Sequence, residues 1–397
     1  MVYSPSTLVD GVRRPLKYLR LGGGLFKPLG IDLGIEQRRT RSVFSKQHNR
    51  DIHVTTIDSI YCLGRGILGP GHLPNRPQSA QARQARQTGH RRIGAVVCAG
   101  FRHFREPWAR DFGFAAFGLL TEGRADVVND GVRLFFSHQK SNGQLPLKLH
   151  STNLAERYLH SVFHRVQPVD AALIPRFITA HGTRSLDSVL LLVIAWSECV
   201  LQTKDMSLAV DLHGQAVRAI KWVERYEGKT GLIHQGPFAD WADSIGRRGP
   251  VLYTNVLWWK ALKGTEEVEK LLPEGMRHSA ETAEVVAHRI MDAYFKPEAG
   301  YLYQTPEDPM FAAAPNYMAC AWGLANEEQA NSILDYARNQ GMSAIVPSRV
   351  TDREYKFYQV GPEMWIAGIP NYHTNCSWMW IGGWHGGWMG GCMSGFS

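Results

Sequence analysis

The sequence predicts an all-α fold, a toroid of helical hairpins, and three observations carry that expectation. From about residue 96 to residue 340 the segments hold apolar residues at helical spacing. Helices apolar nearly all round alternate with amphipathic ones, the pattern of an inner layer buried on every side and an outer layer half solvated. No stretch keeps the strict two-residue alternation of a sheet over any length. An irregular helical bundle or a solenoid fits the same periodicity.

Taken in order, "WARDFGFAAFGLLTEG" (108–123) reads as a helix that stops at Gly123, and "RADVVNDGVRLFFSHQ" (124–139) follows it directly. "QLPLKLH" then runs as a loop. "SLDSVLLLVIAWSECVLQ" (185–202) is apolar nearly all round and belongs inside. Its strongest run, "SVLLLVIAW" (188–196), is half the length of a membrane span. "SLAVDLHGQAVRAIKWVERY" (207–226) is amphipathic, with Ser207 as its expected cap. The alternation continues through "VLYTNVLWWKALKG", "SAETAEVVAHRIMDAYF" and "EEQANSILDYARNQG".

A chain of 397 residues with 44% apolar and 20% charged content suits a soluble globular protein with a large core. Its net charge of +8 is uneven. Residues 1–95 hold 16 Lys/Arg against 5 Asp/Glu, while the remainder holds 28 against 31. The basicity therefore belongs to the N-terminal segment, which also carries Gly-rich turns and the low-complexity stretch "RPQSAQARQARQTGHRR" (76–92). This divides the chain into a basic, partly disordered segment, 1–95, and a main domain, 96–397. A polyanion-binding tail and an unstructured terminus both fit the first part. For the main domain the expectation is neither a nucleic-acid nor a membrane partner. The six cysteines lie far apart with no CxxC pair, which argues against a zinc site and a disulfide scaffold and leaves buried free thiols. No apolar core follows the basic start, so the reading is cytoplasmic, without a signal peptide. The oligomeric state is not legible.

All 12 tryptophans lie from Trp108 onward, and several meet acids in segments that break the helical pattern. These are "FREPWARDFG" (104–113), "ITAHGTRSLDS" (178–188), "IHQGPFADWADSIGRRGP" (233–250) and "GIPNYHTNCSWMW" (368–380), each just ahead of an apolar helix. The third is the densest: Asp240 and Asp243 flank Trp241 and precede "VLYTNVLWW". Asp at helix starts is common, because it faces the free N–H groups there. The other reading is a sugar site, with acids for proton transfer and indole faces for the ring. Trp258 and Trp259 on an apolar helix read as core, and His373 as a hydrogen-bonded structural histidine.

The order RDF, LDS before an apolar helix, DWADS…LYTNVLWW, then NYHTNCSW resembles the six-hairpin (α/α)6 glycosidases, in particular the amylo-α-1,6-glucosidase domain of glycogen-debranching enzymes and the alkaline/neutral invertases. The resemblance spans roughly residues 100–385. It implies an inverting glycoside hydrolase acting on a small α-glucoside, an α-glucan end or a sucrose-like sugar, with a carbohydrate substrate and neither metal nor organic cofactor. Asp243 falls at the general acid. Arg110, Asp111 and Asp187 fall at the glycone pocket, and Tyr253, Asn255, His373 and Trp378 on matching motifs. Trp108 and Trp241 offer further apolar faces, and Asp240 is a cap or hydroxyl ligand.

The pattern departs in places. Tyr253 stands where relatives often carry glutamate, and Asn375 and Cys376 where they tend to carry glycines. Their base lies beyond the NYHTNCSW-like motif, whereas residues 364–397 here contain no acid. Glu363, the last carboxylate, is the candidate base, and the glycine-rich "IGGWHGGWMGGCMSGFS" makes the last hairpin incomplete. A degenerate, non-catalytic sugar-binding protein and a helical scaffold are the alternatives. The first requires the motifs to converge without turnover; the second requires them to scatter.

Overall fold

The computed structural model describes residues 54–56, 96–99, 106–150, 163, 173–276, 282–342, 348–378 and 380–384. Most of the 1–95 segment, the boundary at residue 95, and the end of the glycine-rich stretch lie outside the described residues.

Eight longer helices form four successive hairpins among the described residues: α1 (Ala109–Thr121) with α2 (Ala125–Phe136), α3 (Leu186–Thr203) with α4 (Met206–Glu224), α5 (Leu252–Glu269) with α6 (Ala283–Tyr294), and α7 (Ala313–Ala321) with α8 (Glu327–Asn339). A short α9 (Pro362–Ile366) follows. The first helix of each hairpin packs on the first of the next, α1 on α3, α3 on α5 and α5 on α7. The second helices cover that row from outside. This is the layering that alternating apolar and amphipathic sequences demand, since a helix apolar on all sides has no solvated face to offer.

Local chemistry sets the ends. Gly123, at φ +74°, closes α1, with the N–H of Arg124 reaching back to the Leu119 carbonyl. At the start of α4 the cap is Asp205, which accepts from the Leu208 N–H at 3.0 Å; Ser207 lies inside the helix. Asn326 and Gln329 form a reciprocal capping box on α8.

The buried row is dominated by α3. By length and composition the whole helix could cross a membrane, but 78% of it is buried among α1, α2, α4 and α5. A Cβ on Gly113 of α1 would stand 2.7 Å from the Leu191 Cβ, so only glycine permits the α1–α3 approach. Trp196 and Trp258 are fully buried, and each large apolar side chain so placed contributes about 1.5–3 kcal/mol. The Trp196 indole N–H also donates to the Leu208 carbonyl of α4.

The expectation of a purely helical chain is corrected by four small sheets. β1 (Val54–Thr56) pairs parallel with β2 (Val96–Cys98). β3 (Lys148–His150), inside the stretch read as a loop, pairs antiparallel with β4 (Ile174–Arg176). β5 (Phe295–Lys296), β6 (Tyr301–Thr305) and β7 (Asp308–Phe311) form an antiparallel sheet, and β8 (Ser348–Arg349) pairs with β9 (Ser377–Trp378). These strands are two to five residues long, too short for two-residue alternation to register. Cys98, Cys199, Cys320 and Cys376 are buried and form no disulfide among the described residues.

An aromatic group joins the two ends of the helical row. Phe114 stacks on Trp380 with ring centres 4.5 Å apart, while Phe117 contacts Trp322, just past α7, and Trp384. Residues 380–384 thus pack against α1 from the C-terminal side.

Candidate active site

Arg110, in the first turn of α1, is the hub. Its guanidinium donates to both carboxylate oxygens of Asp187 (2.8 and 3.4 Å), to Ser185 Oγ (3.2 Å), to the Ala239 carbonyl (2.8 Å) and to Asp243 Oδ2 (3.3 Å). One planar cation therefore holds together the starts of α1 and α3 and the 236–250 loop ahead of α5. The expected neighbours Arg110, Asp187 and Asp243 do meet, though not on equal terms.

Asp187 is 1% exposed, and it also accepts from Ser185 Oγ (2.6 Å) and the Ser188 N–H (2.8 Å). Its side chain is fully buried and its donors are internal, which makes it an anchor for Arg110. Burial raises its carboxyl against the pull of Arg110. Asp240, expected as a cap or hydroxyl ligand, is likewise committed inside the protein. It is buried, gripped at two points by Arg247 (2.8 Å each), and accepts from Gln235 (2.7 Å) and the Ala242 N–H (2.9 Å). Burial pushes this carboxyl up, but the paired Arg247 outweighs it and the net shift is downward, so Asp240 stays ionised.

Asp243 differs from both. It keeps 43% of its side chain exposed, yet burial raises its carboxyl despite Arg110, with Asp240 and Asp187 adding to the rise. It is recessed but reachable. Asp111, one residue beyond Arg110, is half-buried and pushed up to about 6 by burial, with Arg110 opposing. Both acids act on Tyr372, whose hydroxyl is pushed up to about 12, chiefly by burial.

The aromatic wall is built from Trp241, His373, Trp378 and Trp380. Trp241 meets the other three edge-on at 5.0–5.9 Å, and His373 lies parallel to Trp378 at 5.3 Å. His373 is 3% exposed, and its Nδ1 shares a hydrogen bond with Ser244 Oγ at 2.8 Å. Burial, with Arg247 nearby, drops it to about 3, so it is neutral and structural. Trp378 is half-buried and its indole N–H donates to the Tyr372 carbonyl.

Three further expected residues are placed as follows. Asn255 is fully buried: its Oδ1 accepts from the Ile233 N–H, and its amide donates to the Ile233 and Val251 carbonyls and to the Tyr294 hydroxyl. Every polar atom of that amide is committed to holding the chain ahead of α5. Tyr253 is fully buried, and burial, with Asp187 and Asp240 adding to it, holds its hydroxyl well above the usual phenol range. Trp108 lies under the Lys148 ammonium, 4.6 Å from the ring centre, and Lys148 pairs with Glu106 at 2.6 Å.

Glu363 sits on α9, 43% of its side chain exposed, with Oε1 3.3 Å from His181 Nε2. The chain just before it is stitched to the Asp243 loop. Gly246 donates to the Gln359 carbonyl, Gly361 donates to that of Ser244, and Ile245 bridges to Val360. His181 also acts electrostatically on Asp243. His181 and Tyr372 lay within the quoted segments without being singled out, because nothing local marks a loop histidine as facing two acids. A recess of about 360 Å³ beside the 178–186 turn is lined by Thr183, Arg184, Tyr226 and Gly236, and by none of these carboxylates.

No family model and no curated protein matches the chain. Its neighbours among solved structures include GH63 and GH78 glycosidases. It is similar to a GH63 mannosylglycerate hydrolase from Thermus thermophilus in complex with Tris and D-glycerate (14% identity, 70% of this chain and 80% of that one, TM-score 0.48). It is also similar to a rhamnosidase from Klebsiella oxytoca with rhamnose bound (15% identity, 59% and 42%, TM-score 0.44), less than half of whose length it spans. A third is the GH78 family rhamnosidase of Bacillus sp. GL1 (14% identity, 59% and 23%, TM-score 0.42). At these values the similarity is too slight to bear on substrate or mechanism, and the site is interpreted from its own geometry.

Proposed function

We propose that the protein is an inverting glycoside hydrolase of the (α/α)6 type, acting on a small α-glucoside, an α-glucan end or a sucrose-like sugar, as the resemblance to amylo-α-1,6-glucosidase domains and invertases implies. One observation carries this reading. Asp243 is a reachable carboxyl whose pKa is raised, beside an aromatic wall, and the strap that bears Glu363 is hydrogen-bonded to its loop.

The chemistry assigns a proton to each acid. Asp243, protonated, gives its proton to the glycosidic oxygen as the bond to the anomeric carbon breaks. Glu363, ionised, takes a proton from the water that attacks that carbon from the opposite face. Water is consumed, two hydroxyl groups result, and the two carboxyl groups exchange protonation states. Arg110 permits the acid to be neutral because Asp187 already takes its two-point pairing, which leaves Asp243 a single contact at 3.3 Å. Asp111, half-buried beside them, is the candidate partner for sugar hydroxyls.

The test is reducing-sugar release from a panel of disaccharides and short α-glucans. Wild type hydrolyses at least one of them with inversion at the anomeric carbon, seen by proton NMR. Asp243→Asn loses about a thousandfold or more in kcat and still binds the sugar. Unchanged turnover in Asp243→Asn rejects the assignment. Sugar binding without turnover by wild type leaves a sugar-binding protein of the same fold.

A further inference from the structure

We infer that Phe238 is a positioning residue for Asp243, the proposed acid: its left-handed backbone and its ring close the neck of the loop that presents that carboxyl. This rests on the glycosidase reading above and adds a residue that neither the motifs nor the resemblance assigned.

Asp243 depends on its loop for its place. Among the described residues its carboxylate has one hydrogen bond, the 3.3 Å contact from Arg110, so the path of the chain decides where it stands. Most of the loop is held from outside. Asp240 is gripped by Arg247, Ser244 Oγ shares a hydrogen bond with His373, and the Gly246 N–H and the Ser244 carbonyl are tied to the chain just before α9. At the entry the Ala239 carbonyl accepts from Arg110 at 2.8 Å, and Phe238 stands just before it.

Phe238 takes φ +55°, a left-handed backbone that glycine adopts freely and a phenylalanine only at a cost. Such a conformation persists where the surrounding contacts over-determine it. Two contacts of the half-buried ring do so. It stacks on His181, centres 4.2 Å apart and planes 26° from parallel. Its far end sits on Gly246, where an added Cβ would come within 3.2 Å of Phe238 Cζ. Residues 238 and 246 thus meet across the base of the loop, with Trp241 and Asp243 carried between them. A loosened neck would let Asp243 move toward Arg110 or into water, and both favour its ionised form. In the closed loop burial holds the carboxyl up and Asp240 and Asp187 add to this, while Arg110 and His181 oppose it. Asp111 and Tyr372 also interact with it.

Two variants open the neck from opposite sides. Phe238→Gly keeps the backbone turn and removes the ring; Gly246→Ala keeps the ring and drives a methyl group against it. On a hydrolysed sugar, each should lower kcat about tenfold with KM within about twofold. Each should also move the alkaline limb of the pH profile down by about half a unit or more, because the acid ionises sooner. The double variant should lose no more than Phe238→Gly alone, since the ring that the methyl group would strike is gone. A readout independent of turnover is the carbon-13 NMR titration of the Asp243 carboxyl, assigned with Asp243→Asn, which should move to lower pH in both variants. Wild-type kcat and pH profile in either variant overturn the inference, as do losses that add in the double variant. A lowered melting temperature with an unmoved alkaline limb also overturns it, by showing a packing role. If wild type hydrolyses nothing, the glycosidase reading falls, and the carboxyl titration still decides whether the neck positions Asp243: a shift in both variants upholds it, and no shift overturns it.

Discussion

The connections α4–α5 and α6–α7 are built on one plan, and only one of them carries the candidate site. Each runs through a left-handed glycine, Gly231 or Gly300, and then a residue clasped by an asparagine four residues into the next helix. Asn255 clasps Ile233 and Val251 as Asn316 clasps Leu302 and Ala312. Gln235 donates to Asp240 as Gln304 donates to Asp308, and in each the aspartate accepts the N–H two residues on, from Ala242 and Met310. An arginine completes each unit, Arg247 on Asp240 and Arg353 on Asp308. Tyr355 ties the two units together, accepting from Arg247 and donating to Gln304.

What differs is the length and burial of the connection. After Asp308 the chain continues directly as β7 into α7. After Asp240 it carries Trp241, Asp243 and Ser244 before turning back through Arg247 to α5, and this excursion meets Arg110, His373 and the α9 strap. The shared clasp is scaffold; the added loop carries the proposed site. Asp240, attractive in the sequence for its nearness to Trp241 and Asp243, belongs to the scaffold half.

If that division is right, the largest effect should come from the buried arginine. Arg247→Ala leaves the Asp240 carboxylate buried without its cation and should cost about 3–5 kcal/mol of stability. Arg353→Ala should cost less than about 1 kcal/mol, since Arg353 and Asp308 are 47% and 34% exposed. Urea unfolding of the two variants compares them directly, and equal losses would break the comparison.

Next come the asparagines. Asn255→Ala and Asn316→Ala each strand buried backbone groups and should each cost about 2–4 kcal/mol. Chemical denaturation measures both, and a near-zero loss for either would show that only one clasp bears load. A smaller and pH-dependent effect distinguishes the α4–α5 excursion. His373 is held at about 3, below its usual 6.5, by burial and Arg247. A depressed pKa gives stability that is present above about 6.5 and lost as the pH falls toward 3, because the unfolded chain takes up the proton first. Melting temperatures between pH 7 and 4 should therefore fall more steeply in wild type than in His373→Gln. Parallel curves would mean the ring gains its proton without cost.

Much of the helical row was legible in the residues. Apolar periodicity along 185–202 and its amphipathic partner at 207–226 follow from the side chains alone, and so does the stop at Gly123, because a helix interior, a solvated face and a left-handed turn are each decided within a few residues. The density of acids and tryptophans around residue 241 also marked the 236–250 loop. The sequence could not rank those acids. Asp187, Asp240 and Asp243 look alike in the chain; which is paired and which stays reachable depends on where Arg110 and Arg247 arrive from and how deeply each carboxylate sits. Nor could it reveal the short strands, whose pairing joins segments far apart in the chain, or the meeting of His181 with Glu363. Burial and charge pairing are sums over neighbours brought in from distant positions, and those neighbours are chosen by tertiary packing.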